Sequence, residues 1–317
     1  MNRPKTPGTD SVLENSSLER WQGPARRPET IDELRERLHY FRSAESDRYA
    51  DRMASRPTDV FIATYPKCGT TLLQQMVHTL RTHGDMSFEE ITAVVPWLES
   101  AWDIGIDPEA EQTARPRVFK THRTAAGLPS SGRFIHMTRD PLDVADSFYR
   151  FFSGWAFEAG SISLDEFATG MILEGTKAGR YWDHLLSWWP RRREPNVLFL
   201  TYEDFLADPL TVIQQVAALL EIGLDPELSE ITQQNTGLEF MRKHYRRFDD
   251  HLLRRHRDPI LGLPADGETL KVSLANTQRH RLSAPVQDLF ARRWEETIGR
   301  QLGIPDYLTL RKKLGTT

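Results

Sequence analysis

Apolar residues along this chain follow two periods in turn. Four short runs have strand character: Val60-Phe61-Ile62-Ala63, Arg117-Val118-Phe119-Lys120, Arg133-Phe134-Ile135-His136-Met137-Thr138 and Asn196-Val197-Leu198-Phe199-Leu200-Thr201. Between them apolar positions recur at one, three and four residues, the spacing of a helix face. The first run breaks at Tyr65-Pro66, passes through Lys67-Cys68-Gly69-Thr70-Thr71 and re-enters helical spacing at Leu72, Leu73, Met76, Val77 and Leu80. Strands alternating with helices predict an α/β fold with a P-loop-like central parallel sheet and helices on both faces.

The junction after the first run is a strand, a phosphate-sized loop and a helix N-terminus. Unpaired N–H groups at a helix start, with the positive end of its dipole, form an anion site, and Lys67 adds a full charge. A nucleotide-triphosphatase loop has its lysine directly after a second glycine. Here Lys67 precedes the only glycine, Gly69, which removes the main support for a kinase or GTPase reading. A second anion clamp follows the third strand, where Asp140 is placed as an N-cap, Pro141 at the first helical position and Asp143 three residues past the cap. Arg139 then stands at the strand tip and Ser147 two turns into the helix, so a guanidinium and a hydroxyl converge on one oxyanion. The chemical motifs fall at the C-terminal ends of predicted strands, where such folds bind ligands.

Tyr65-Pro66-Lys67-Cys68-Gly69-Thr70-Thr71 resembles the 5'-phosphosulfate loop of the cytosolic, 3'-phosphoadenosine 5'-phosphosulfate-dependent sulfotransferases, Y-P-K-S-G-T-T-W, and the chain is identified as a bacterial member of that family. Arg139-Asp140-Pro141-Leu142-Asp143-Val144-Ala145-Asp146-Ser147 is similar to its R-[ND]-P-x-D-x-A-x-S pattern, which implies that Arg139 and Ser147 hold the 3'-phosphate. Lys120-Thr121-His122 resembles the family's K-T-H segment, implying His122 as general base and Lys120 against the transferring group. Imidazole suits that task because its ordinary pKa of about 6.5 lies near neutrality. Tyr202-Glu203-Asp204 and Thr236-Gly237-Leu238-Glu239-Phe240-Met241 resemble the family's adenine-contacting segments, which implies Tyr202, Thr236 and Leu238 at the base.

Three departures stand out against that pattern. Cys68 replaces a serine, and the resemblance gives it a non-nucleophilic place in the donor loop, although a thiol at a helix start beside lysine can become reactive. Leu72 and Leu238 stand where tryptophan and phenylalanine are usual, which predicts an aliphatic adenine slot and weaker stacking. The family's R-K-G-x-x-G-D-W string is missing. The region between Asp249 and Ser283 offers Arg254, Arg255, Arg257 and Lys271 in its place.

At 317 residues the chain suits one domain from position 30 onward, with residues 1–29, rich in Pro, Ser and charge, expected to be flexible. Thr30-Ile31-Asp32-Glu33 and Ser163-Leu164-Asp165-Glu166 read as helix starts. No apolar run approaches the roughly 18 residues that cross a bilayer, and Cys68 is the single cysteine, which together predict a cytoplasmic protein with no membrane span. A net charge of −4 argues against nucleic acid as a partner, and no metal-ligand motif occurs. The expected substrates are the sulfuryl donor, leaving as adenosine 3',5'-bisphosphate, and a small, apolar alcohol or phenol. Pro96, Trp97, Leu98, Trp102, Phe148, Tyr149, Phe152, Trp155 and Phe157 are candidates for the acceptor pocket, and Gly154–Ser163 for a lid over it. The rival readings are an ATP-dependent phosphotransferase and a non-catalytic nucleotide-binding protein.

Overall fold

The computed structural model describes residues 19–269, 271–272 and 281–315. Four parallel strands, β1 (Val60–Ala63), β2 (Val118–Thr121), β3 (Arg133–Thr138) and β4 (Val197–Thr201), form a sheet in the order β2-β1-β3-β4. Placing β1 between β2 and β3 brings the loop after β1 beside the ends of both neighbours. Ile62 lies opposite Lys120 on one side and Ile135 on the other. The strand tips that carry Lys67, His122, Arg139 and Tyr202 therefore share one edge of the sheet, the usual ligand edge of an open parallel sheet.

Both faces of the sheet are covered, as its apolar strands require. Val60, Ile62, Val118, Ile135, Met137 and Leu200 pack under the Thr70–Thr82 and Pro209–Leu220 helices, through Leu73, Met76, Val77, Leu80, Val212, Ile213 and Val216. On the other face Phe61 stacks between Phe119, at 5.7 Å, and Phe134, at 5.5 Å, and Trp188 closes over them. Period-two alternation along β1 thus feeds two separate cores. A third core, rich in aromatics, joins the Pro141–Phe152, Tyr181–Trp188 and Ala284–Trp294 helices through Phe148, Phe152, Trp155, Phe167, Trp182 and Phe290.

The helix starts follow from local chemistry. Asp140 accepts a hydrogen bond from Leu142 N at 2.8 Å with Pro141 behind it, and Ser163 with Glu166 forms a reciprocal capping box. Thr30 caps the Ile31–His39 helix, accepting from Glu33 N, while Glu33 turns its carboxylate back to Glu29 N. At the N-terminal ends of β1 and β2, Arg117 donates twice to the buried Asp59, at 2.9 and 2.6 Å.

Residues 1–18 of the expected N-terminal segment lie outside the described residues. Positions further along it are anchored: Trp21 N donates to Ile260 O at 2.9 Å, and the Arg37 guanidinium sits 3.9 Å above the Trp21 ring.

Candidate active site

The loop after β1 turns on two left-handed residues, Lys67 at φ 69° and Gly69 at φ 88°. Only glycine fits at position 69, since a Cβ there would lie 2.6 Å from Met137 Sδ and 3.0 Å from the Tyr202 ring. Gly69 is also the N-cap of the Thr70–Thr82 helix, and it offers no side chain to occupy the first N–H groups. Those donors are left for a ligand. The Thr70 hydroxyl is tied back to Thr64 Oγ1 at 2.5 Å, while Thr71 and Leu72 line the cleft in front of the loop.

The cleft has a volume of about 1000 Å³. It collects Lys67, Gly69, Thr70, Thr71, Leu72, Lys120, His122, Arg139, Ser147, Tyr202, Thr236 and Leu238, twelve of the thirteen residues that the sequence assigns to catalysis and donor binding. Cys68 does not reach it. Its side chain is buried in the aromatic core and burial pushes the thiol far above its ordinary range, so Cys68 offers the cleft no nucleophile. The cleft is lined by the aliphatic Leu72 and the widely exposed Leu206 and Leu238, and also by the aromatic rings of Tyr202 and Phe205.

Arg139 is fixed through its backbone and its guanidinium. Tyr181 OH donates to Arg139 O at 2.8 Å, the guanidinium lies 4.5 Å over the Tyr202 ring, and one of its nitrogens reaches Lys67 O at 3.4 Å. Behind it Asp140 N donates to Glu203, which also accepts from Tyr307 OH at 2.6 Å. These bonds lock the turn after β3 to the end of β4.

His122 is nearly buried just past β2. Its backbone N–H donates to Glu99 at 2.8 Å, and its Nδ1 lies 2.7 Å from Thr64 O. A carbonyl can only accept, so Nδ1 carries the proton and Nε2 keeps the basic lone pair. Burial, followed by the neighbouring Lys120 ammonium, holds the imidazole well below its usual pKa, and the ring is neutral at pH 7. Lys120 rests 4.3 Å above Trp97, and Trp97 meets His122 edge-on at 5.1 Å. Lys67 rests in the same way 4.1 Å over Phe151. Both ammonium groups are held on rings rather than on carboxylates.

Among the nine expected acceptor residues, Trp97, Phe148 and Phe152 line the cleft, together with Leu38, Phe41, Phe151 and Met171, which the sequence did not single out. Leu98, Trp155 and Phe157 are core residues, Tyr149 packs on Phe157, and Trp102 packs on Tyr49. The Gly154–Ser163 segment is not on the cleft, because Trp155, Ala156, Phe157 and Ile162 anchor it in the core. The border there is the Glu174–Arg180 turn, clasped to the Ile31–His39 helix by Lys177, whose ammonium donates to the carbonyls of His39 and Arg42.

Of the four basic candidates between Asp249 and Ser283, one reaches the cleft. Lys271 lies there with its Nζ 2.5 Å from Asp250 Oδ1. Arg257 is buried away from it, donating to Phe41 O and Tyr40 O, Arg255 pairs with Glu89, and Arg254 donates to Gly267 O. Residues 270 and 273–280 of that region lie outside the described residues. Asp250 was not legible in the sequence, since a left-handed aspartate (φ 57°) before a helix carries no motif. Among the described residues no group of His, Cys, Asp and Glu is placed to hold a metal ion, and no helix is long and apolar enough to cross a membrane.

The sulfotransferase domain family matches residues 57–258. Sulfotransferase 1B1 of Canis lupus familiaris is 33% identical over 204 residues, covering 61% of this chain and 69% of its own length. Sulfotransferase 2A1 of Homo sapiens is 30% identical over 216 residues, covering 64% of this chain and 73% of its own. These relatives are mammalian and lend the expected bacterial placing no support. In fold, the chain is similar to a mouse sulfotransferase solved with PAP (TM-score 0.59, 20% identity, 82% of this chain and 93% of that one). It is equally similar to a retinol dehydratase solved with retinol and PAP (TM-score 0.59, 22% identity, 82% and 86%).

Proposed function

Because the chain belongs to the sulfotransferase domain family, we propose that it transfers a sulfuryl group from 3'-phosphoadenosine 5'-phosphosulfate to a hydroxyl of a small, apolar acceptor. The observation that carries this reading is convergence: the Lys67–Thr71 loop, the Arg139 and Ser147 pair and the neutral His122 open on one cleft. Arg139 and Ser147 hold the 3'-phosphate, and the N–H groups of Gly69, Thr70 and Thr71 with Lys67 hold the 5' end. Tyr202, Leu72, Thr236 and Leu238 flank the adenine.

The acceptor oxygen attacks sulfur in line with the bond to the 5'-phosphate. His122 Nε2 takes the hydroxyl proton as the new S–O bond forms. The old S–O bond breaks, its electron pair goes to the 5'-phosphate oxygen, and adenosine 3',5'-bisphosphate leaves. Lys67 and the helix N-terminus stabilise the growing charge on that oxygen, while Lys120 faces the sulfuryl oxygens; preorganised donors of this kind contribute about 3 to 4 kcal/mol each to a barrier. The Trp97, Phe148, Phe151 and Phe152 walls favour an apolar acceptor body. The single, buried Cys68 suits a reducing, cytoplasmic setting.

The test is binding and turnover measured side by side. Wild-type protein should bind adenosine 3',5'-bisphosphate in a calorimetric titration and label a panel of phenols and alcohols from ³⁵S donor. His122→Ala should lose about 10²- to 10⁴-fold in turnover and keep nucleotide affinity. Magnesium-dependent ATP turnover, or nucleotide binding with no acceptor labelled, would replace this reading by a phosphotransferase or a non-catalytic binder.

A further inference from the structure

Three lysines from distant parts of the chain line the cleft, one of them paired with the buried Asp250. Lys67 follows β1, Lys120 lies on β2, and Lys271 lies far along the chain beyond the His251–Leu261 helix. Asp250, the residue before that helix, is 3% exposed and gives Oδ1 to Lys271 Nζ at 2.5 Å. Its backbone is left-handed at φ 57°, a conformation that side chains other than glycine rarely hold unless their surroundings require it. Neither Lys67 nor Lys120 makes an ion pair within 4 Å among the described residues; each lies on an aromatic ring instead.

All three lysines and Asp250 line the one cleft. After burial, the Lys271 ammonium is the strongest influence lowering the pKa of both Lys67 and Lys120, and it acts on His122 as well. Asp250 is ionised, held down to about 2 by Lys271, Lys120 and Lys67 against its burial. Two further buried acids face the group: Glu90, pushed up to about 7 by burial and by Asp250, and Glu99, which acts on Lys120.

On the sulfotransferase reading above, we infer that Lys271, anchored by Asp250, joins Lys67 and Lys120 in a three-lysine cradle for the phosphosulfate, with Lys271 touching the transferring sulfuryl group and Asp250 as its positioning residue. The anchor matters because a free lysine stem carries large rotamer entropy. Held by Asp250 on one side, the Lys271 ammonium keeps two further donors for sulfuryl oxygens. It lines the same cleft as Lys120 and His122, the groups placed at the sulfur end of the donor, and its charge acts on both.

Calorimetric affinities for two probes, the intact donor and adenosine 3',5'-bisphosphate, decide the matter, because only the first carries the sulfuryl group. Lys271→Met should weaken the donor by about 10-fold or more, as loss of a charged hydrogen bond does, and leave the bisphosphate within error. Lys271→Arg should restore most of the difference. Asp250→Asn should reproduce the selective loss with unchanged folding, and it keeps the test alive should Lys271→Met fold poorly. Equal weakening of both probes, or no change in either, overturns the role of Lys271. Tighter donor binding in Asp250→Asn would make Asp250 a mere opposing charge and overturn its positioning role. Wild-type protein that binds neither probe would overturn the sulfotransferase reading itself, and this inference with it.

Discussion

The hydrogen bond from His122 Nδ1 to Thr64 O decides which nitrogen of that ring can accept a proton, and burial decides that the proton is not already there. The consequence is a rate profile set from the alkaline side. Free-enzyme kcat/KM should hold steady below pH 6.5, where an ordinary histidine would already be protonated. It should then fall as Lys120, whose pKa burial and Lys271 bring down to about 8, loses its charge. Lys120→Arg should move that limb upward; an unmoved limb would assign it to another group. His184, away from the cleft, obeys the same desolvation. Buried and stacked on His136 at 5.4 Å, it is held at about 3, against about 6.5 in an unfolded chain. Between those values the unfolded state binds a proton that the folded state refuses, so stability present above pH 6.5 is lost as pH falls. The slope is about 1.4 kcal/mol per pH unit for this one group. His184→Phe should flatten the urea-derived stability curve between pH 6.5 and 4.5 by that amount, and equal slopes in the two proteins would refute the assignment.

Elements matter here mainly through their ends. The Thr70–Thr82 helix presents its N-terminus to the cleft because Gly69 can turn at φ 88° and leaves the first N–H groups without a side-chain cap. Gly69→Ala is expected to cost at least about 1 to 2 kcal/mol from the left-handed backbone alone. The 2.6 Å approach to Met137 Sδ adds to that by displacing the loop. Nucleotide affinity should fall with it, and a melting temperature and bisphosphate affinity both equal to wild type would contradict this account. The next helix, Pro141–Phe152, behaves differently. Its first N–H groups are capped by Asp140, so what it offers the cleft is side chains, Ser147 and the Phe148, Phe151 and Phe152 wall.

At the scale of the whole molecule, the sheet separates a binding edge from a structural one. The C-terminal strand ends carry the cleft, while the N-terminal ends of β1 and β2 are joined by the buried Asp59 and Arg117 pair. Asp59 also accepts Arg56 N at 2.8 Å and its carbonyl takes Arg133 N at 2.8 Å, so three chain segments meet on it. Arg117→Met leaves that carboxylate buried without its charged partner, a change that typically costs about 3 to 5 kcal/mol. Guanidinium unfolding should show that loss with bisphosphate affinity unchanged in the folded fraction. A stability within about 1 kcal/mol of wild type would mean that water reaches Asp59 and replaces the arginine.

The sequence by itself determined the strand, loop and helix units, since these depend on local period, on Asp140 and Ser163 as caps, and on a glycine that must turn left. It also determined which residues of the Lys67–Thr71 loop and of Lys120-Thr121-His122 stand at strand ends. Tertiary structure alone decided what those ends face. Trp97, Phe148 and Phe152 line the cleft while Trp155 and Phe157 fill the core, and nothing local tells them apart, because an aromatic ring is driven from water equally by a pocket wall and by a core. It also turned Cys68 inward and carried Asp250 and Lys271 to the cleft of Lys67 and Lys120, more than a hundred residues away along the chain. Their meeting is electrostatic and long-range, and a period or a cap reports only on neighbours a few residues away.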